Sequence, residues 1–228
     1  SQSVQVPSRS LPVALVVALR PRQWLKNLLV FAAPLAAGRV LAPDVLAPTL
    51  LAFVSFCLIS SATYLINDVR DAEVDREHPV KRGRPIAAGQ LSPAVAVSLA
   101  VILTVASLGL AWWDRPQLAG VVLAYLVFTL SYSLLLKHEP VIELALLAMG
   151  FLLRAIAGGV ASDLPISQWF LIVAGFGSLF MAAGKRFSEL QATAAELASA
   201  GAPRRKSLDG YTLSYLRFVW GTAAAVAI

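Results

Sequence analysis

NDVRDAEVDREHPVKRGRPIAAG, residues 67–89, is the densest charged run in a chain of 228 residues that is 58% hydrophobic. Between Asp68 and Arg84 it holds five acids (Asp68, Asp71, Glu73, Asp75, Glu77) and five bases (Arg70, Arg76, Lys81, Arg82, Arg84), with His78 among them. An apolar run precedes it (about 45–66) and another follows (about 91–113), each long enough to cross a bilayer. The stretch is therefore a polar cluster at the mouth of two membrane helices. Asp68, Asp71 and Asp75 fall at i, i+3 and i+7, and Asn67 is four residues before Asp71. If the preceding helix runs on past Asn67, these four side chains share one face over two turns. Carboxylates side by side repel one another, and a divalent cation removes that conflict. Hard oxygen ligands without Cys or His favour Mg²⁺, with Mn²⁺ as an alternative. The run HPVKRGRP follows, where two prolines break the helix and should expose Lys81, Arg82 and Arg84 in a loop suited to phosphates.

Only 14% of the residues are charged, too few for an ordinary soluble domain. The pattern is one of continuous apolar stretches rather than the alternation of a membrane barrel, so the class is an all-α polytopic membrane bundle. The single cysteine, Cys57, lies in an apolar run and can form no intrachain disulfide. No βαβ pattern is present. No nucleic-acid motif is present; the net charge of +6 suits anionic lipid and phosphorylated ligands.

In chain order, 1–10 reads as a flexible polar tail and 11–19 as a short helix on the membrane surface. RPRQWLKN (20–27) surrounds Trp24 with Arg20, Arg22 and Lys26, in the manner of a membrane interface. Spans are predicted at about 25–40, 45–66, 91–113, 117–136, 140–161 and 166–184, with a seventh from about 211. The chain is one domain over 1–228, and a seventh span stopping at Ile228 points to a longer natural protein. Fifteen Lys and Arg side chains fall on the side of the Asp-rich loop, and only Arg39 and Arg115 on the other. The N-terminus and the Asp cluster should therefore face the cytoplasm, in the plasma membrane.

Other polar positions gather on the same side. Tyr132 and Lys137 close the fourth span, and Lys185, Arg186 and Glu189 close the sixth. Lys185 and Glu189 are spaced for a salt bridge. Glu143 and Arg154 lie inside the fifth span, nearly three turns and roughly 16 Å apart on one face. Charges at that depth should face the bundle interior. Together these groups predict one anion-and-metal pocket, continuous with an apolar cavity for a lipid tail.

NDVRDAEVD (67–75), with the basic stretch after it and the pair Tyr132 and Lys137, resembles the UbiA superfamily of intramembrane prenyltransferases. The resemblance implies nine helices in the full protein. It also implies that Asn67, Asp68, Asp71 and Asp75 hold Mg²⁺ on a diphosphate, the three aspartates being catalytic. Prenyltransferases of that superfamily carry a second Asp-rich motif after the sixth helix; here that place reads GKRFSEL (184–190). With RPRQWLKNLLVFAAPLAAG (20–38) and VIELALLAMGFLLRAIAGG (141–159), it resembles the phosphoribosyltransferase branch. The implied donor is phosphoribosyl pyrophosphate, and the implied acceptor is decaprenyl phosphate, for cell-wall arabinan precursors. Lys81, Arg82 and Arg84 would clamp the donor. Lys185 and Arg186 would supply cations in place of a second metal. Arg22, Lys26 and Lys137 would hold the lipid phosphate. Asn27, Tyr64, Arg76, Tyr132, Glu143, Arg154 and Glu189 complete the substrate-binding candidates. Membrane lipids are the expected surroundings, and a homo-oligomer is compatible. Two alternatives stay open: a prenyltransferase acting on an aromatic acceptor, and a lipid or ion transporter. The clustering of acids on one side of nearly clean spans speaks against the transporter.

Overall fold

The computed structural model describes residues 9–134, 140–200 and 212–227. The described residues contain helices and no strand. A short helix, α1 (Leu11–Leu19), leads into a 3₁₀ helix (Pro21–Phe31) and α2 (Ala32–Ala36). The long α3 (Pro43–Arg70) and short α4 (Ala72–Glu77) carry the acid-rich stretch, and a 3₁₀ turn (Lys81–Gly83) carries the bases. α5 (Pro93–Asp114), α6 (Pro116–Leu134), α7 (Pro140–Ala161), α8 (Gln168–Ala200) and α9 (Leu213–Ala227) follow.

Local chemistry sets these boundaries. Pro93 and Pro116 stand at first helical positions, where a missing N–H costs nothing. Ser92 caps α5 by accepting a bond from the Val95 amide at 3.3 Å. Gly38, at φ +66°, takes the left-handed turn that reverses the chain after α2. α3 is the innermost of the apolar helices, and its buried positions include Ser55, Ser60, Ser61 and Thr63. Small polar side chains let neighbouring helices approach closely and still find hydrogen-bond partners. Ser107 of α5 donates to the Ser55 carbonyl at 2.7 Å, and Thr49 pairs with Ser162, directly after α7, at 2.8 Å. Phe56, Ile59, Val122, Tyr125 and Ala157 fill the centre between α3, α6 and α7.

Among the described residues, five helices are long and apolar enough to cross a membrane: Pro43–Arg70, Pro93–Asp114, Pro116–Ser133, Ile142–Ala161 and Gln168–Gln191. The predicted span at 25–40 is instead the 3₁₀ helix followed by one turn of α2, ended by Gly38. This piece packs on α7 and α3. Its closest approach is at Gly158, where a Cβ would stand 1.7 Å from the Val30 carbonyl oxygen. The sixth predicted span runs on well past 184 to Ala200, and the seventh is the 15-residue α9, packed on α8. Arg9, read as part of a loose tail, is tied to the turn at Gly83.

Candidate functional site

Successive spans run antiparallel, so the end of α3, the end of α6, the start of α7 and the middle of α8 meet at one end of the bundle. α3 ends at Arg70, and Asp71 makes the joint to α4. The amide of Asp75 still bonds the Asp71 carbonyl at 2.8 Å, so the helical path survives the joint. Asp68 and Asp75 come out on the inner side, 2% and 1% exposed. Both reach the same nitrogen. Arg84 Nη1 donates to Asp75 Oδ2 at 2.6 Å and to Asp68 Oδ1 at 3.1 Å. Arg20 Nη2 donates to the same Asp68 oxygen at 2.6 Å, and Lys81 Nζ lies 3.7 Å from Asp75 Oδ1.

The basic turn is thus not an open loop. Lys81 and Arg84 are half-buried because the buried carboxylates need counter-charges, and Arg82, also half-buried, stands in the same turn. Asn67 departs from the expected array of four: its Oδ1 accepts from Ser133 Oγ at 2.5 Å, across to α6. Arg70 reinforces that junction by donating to the Ser133 carbonyl. Among the described residues, no three His, Cys, Asp or Glu side chains gather around one point. The donor set nevertheless fits a divalent ion in its chemistry. Two buried carboxylates converge on one cationic nitrogen, and neither thiol nor imidazole stands with them.

Beside the acid pair lies a cavity of about 160 Å³. Its polar wall includes Lys26, Tyr64, Asn67, Tyr132, Arg154 and Lys185, and its apolar wall includes Leu130, Leu146, Leu147 and Phe151. Among the described residues no carboxylate lines it, so it favours anions. A second, more apolar hollow between the 3₁₀ helix, α7 and α8 shares Lys26 and Phe151 with it. Of the groups expected to share one anion-and-metal pocket, Lys26, Tyr64, Asn67, Tyr132, Arg154 and Lys185 line this cavity, while Asp68, Asp71 and Asp75 do not.

Two buried polar knots hold its walls. Arg154 donates to Asn27 Oδ1 (2.8 Å), the Gly150 carbonyl (2.6 Å) and Tyr125 Oη (2.8 Å). At the other end of α7, Glu143 Oε1 accepts from Tyr132 (2.9 Å) and from Arg186 (2.5 Å). Arg186 also donates to Glu189, and Lys185 stands 3.9 Å from that carboxylate. Glu143 and Arg154 share a helix but serve separate knots. Glu143→Leu takes away one of the two carboxylates on buried Arg186 and leaves Glu189, so it should cost about 2 kcal/mol of stability. The companion Arg186→Met should recover most of it, as read by thermal unfolding in detergent.

Some candidates fall elsewhere. Arg22 is exposed, and Arg76, also exposed, donates to the Ala87 carbonyl; neither lines the cavity. Lys137 lies outside the described residues. Arg20 and Tyr125 were not singled out by the sequence as site residues. Arg20 read as interfacial decoration. Their partners lie 48 and 29 residues away, which local spacing cannot show.

The chain has counterparts. The family model for UbiA prenyltransferases matches residues 28–227. The chain belongs to the UbiA prenyltransferase family. Among family members, it is 53% identical over 232 residues to the decaprenyl-phosphate phosphoribosyltransferase of Mycolicibacterium smegmatis. That match covers 100% of this chain and 72% of the relative. It is 50% identical to the enzyme of the same name from Corynebacterium glutamicum, over 97% of this chain and 67% of the relative. A UbiA homolog from Archaeoglobus fulgidus, solved with GPP and Mg²⁺, superposes with a TM-score of 0.75 at 20% identity. That match covers 94% of this chain and 75% of the other, and it shows the shared fold. As a UbiA family member with, among its described residues, several helices long and apolar enough to cross a bilayer, the protein is a multi-pass membrane protein.

Proposed function

We propose that this UbiA family member transfers 5-phosphoribose from phosphoribosyl pyrophosphate to decaprenyl phosphate, releasing pyrophosphate, as a step toward cell-wall arabinan. The observation that carries this reading is 50–53% identity, along nearly the whole chain, to enzymes named for that transfer. The cation-lined cavity beside a buried acid pair supports it. The C1–O bond to the diphosphate breaks, and its electron pair leaves on pyrophosphate. An oxygen of the lipid phosphate forms the new bond to C1. That oxygen is already ionised, so no strong general base is needed.

Asp68 and Asp75 would hold a divalent ion, with Asn67 and Asp71 beside them; carboxylate oxygens suit Mg²⁺ or Mn²⁺. When bound, such an ion supplies positive charge for the departing diphosphate. Lys81, Arg82 and Arg84 would bind donor phosphates, and Lys26, Arg154 and Lys185 make the cavity positive for the phosphates that meet there. Tyr132, oriented by Glu143 and Arg186, would offer its hydroxyl at the wall. The apolar hollow beside Lys26 would take part of the tail. The whole of 1–228 would act as one transmembrane domain in the plasma membrane. The acid pair would face the cytoplasm, by the excess of Lys and Arg on that side.

The test is a donor assay. Membranes carrying the full-length protein receive decaprenyl phosphate, Mg²⁺ and labelled phosphoribosyl pyrophosphate. Label is expected in the lipid fraction and should vanish with chelator. No label, with consumption of a prenyl diphosphate on an aromatic acceptor instead, would replace this reading with ordinary prenyl transfer.

A further inference from the structure

Helix α1 reaches both halves of the acid–base cluster through the arginines that flank it. Arg9, two residues before the helix, donates from Nη1 to the Gly83 carbonyl at 2.9 Å and to Gln90 Oε1 at 3.4 Å. Gly83 closes the turn that presents Lys81 and Arg84 to Asp75. Arg20, directly after the helix, donates to Asp68 at 2.6 Å, and its guanidinium lies 4.9 Å over the Tyr64 ring.

The helix between them is seated on one side and bare on the other. Ala14 and Ala18 are buried, Ala18 in a cluster with Ala62, Leu65, Ile86 and Leu91. The Leu19 carbonyl accepts from Ser61 Oγ at 2.9 Å. Leu11, Val13 and Val16 are exposed, and the nine residues of α1 carry no charge. Exposed apolar side chains of this kind suit contact with lipid. Arg20 itself has φ +54°, a left-handed conformation uncommon for a residue with a side chain, directly before Pro21. Such a conformation persists only where its surroundings fix it, and here the fixed side chain is the one on Asp68.

We infer that α1 is a strap that keeps the acid pair and the basic turn in register, with Arg9 and Arg20 as its positioning residues. The strap itself stands on these contacts; its kinetic consequence rests on the reading of the cluster as the donor site. Arg9 touches neither carboxylate of the pair, so its influence runs through the turn.

The test uses full-length protein in anionic-lipid vesicles and compares Arg9→Ala, Arg9→Lys and wild type. Hydrogen exchange reports on the turn directly, because the Arg84, Ala88 and Leu91 amides are bonded to Lys81, Arg84 and Pro85 carbonyls. Loss of a charged donor should raise exchange over 81–91 by about ten-fold in Arg9→Ala, with α6 and α7 unchanged. Arg9→Lys, which keeps one donor, should recover part of the protection. The KM for phosphoribosyl pyrophosphate should rise by a similar factor while kcat and the acceptor KM stay within about two-fold. Unchanged exchange over 81–91 in Arg9→Ala would overturn the strap. Raised exchange with an unchanged donor KM would overturn its link to the donor. Because exchange is read without substrate, a protein that bound no phosphoribosyl pyrophosphate would sink the functional reading alone.

Discussion

Replacing Asp75 with asparagine should lower turnover by about a thousandfold while leaving the bundle assembled. The side chain is almost wholly buried and bonded to Arg84 at 2.6 Å. Asparagine keeps its shape and removes its charge. Removing one preorganised electrostatic partner of a reaction costs about 10²–10³ in rate. Here the carboxylate would also be a metal ligand, which places the loss at the upper end. Folding is protected because Arg84 retains Asp68 at 3.1 Å, and Arg20 supports the same oxygen. Initial rates at saturating donor, set beside the unfolding temperature, check both halves. Activity within ten-fold of wild type would remove the acid pair from the chemistry.

Gly158→Ala is expected to have the largest effect on stability. Its new Cβ would sit 1.7 Å from the Val30 carbonyl oxygen and 3.2 Å from Pro34 Cδ. Backbone atoms on both sides cannot rotate away, so the 3₁₀ helix must lift off α7. The bond from Arg154 to Asn27 lies one turn along that same contact and would be strained with it. Overpacking of this kind costs about 3 kcal/mol or more. A large fall in folded yield and unfolding temperature is expected. A normal unfolding temperature would mean that the two elements do not meet there.

The legible and hidden parts of the molecule divide along physical lines. Spans were visible because the bilayer demands long apolar runs, and α3, α5, α6, α7 and α8 all satisfy that demand. The piece at 21–36 misled because its apolar content matches a span while its prolines and Gly38 make it short. The importance of Glu143 and Arg154 was legible, since a charge among apolar residues has to be paired. Their partners were not, because a shared face says nothing of which neighbour fills it. NDVRDAEVD announced the acids. That Arg84 would bridge two of them, and that Arg20 would come back from 48 residues away, depended on the tertiary fold.

The length of α8 has its own consequence. Its 33 residues reach about 50 Å, against a hydrocarbon layer of about 30 Å. Counted from Gln168, Arg186 stands about 27 Å along the axis. The helix therefore works as a ruler, and the depth of the Glu143–Arg186 pair below the water is set by residue number from the far surface. A thinner or thicker bilayer would slide this pair relative to the headgroups, while α8 itself, helical on to Ala200, would lose no backbone hydrogen bond.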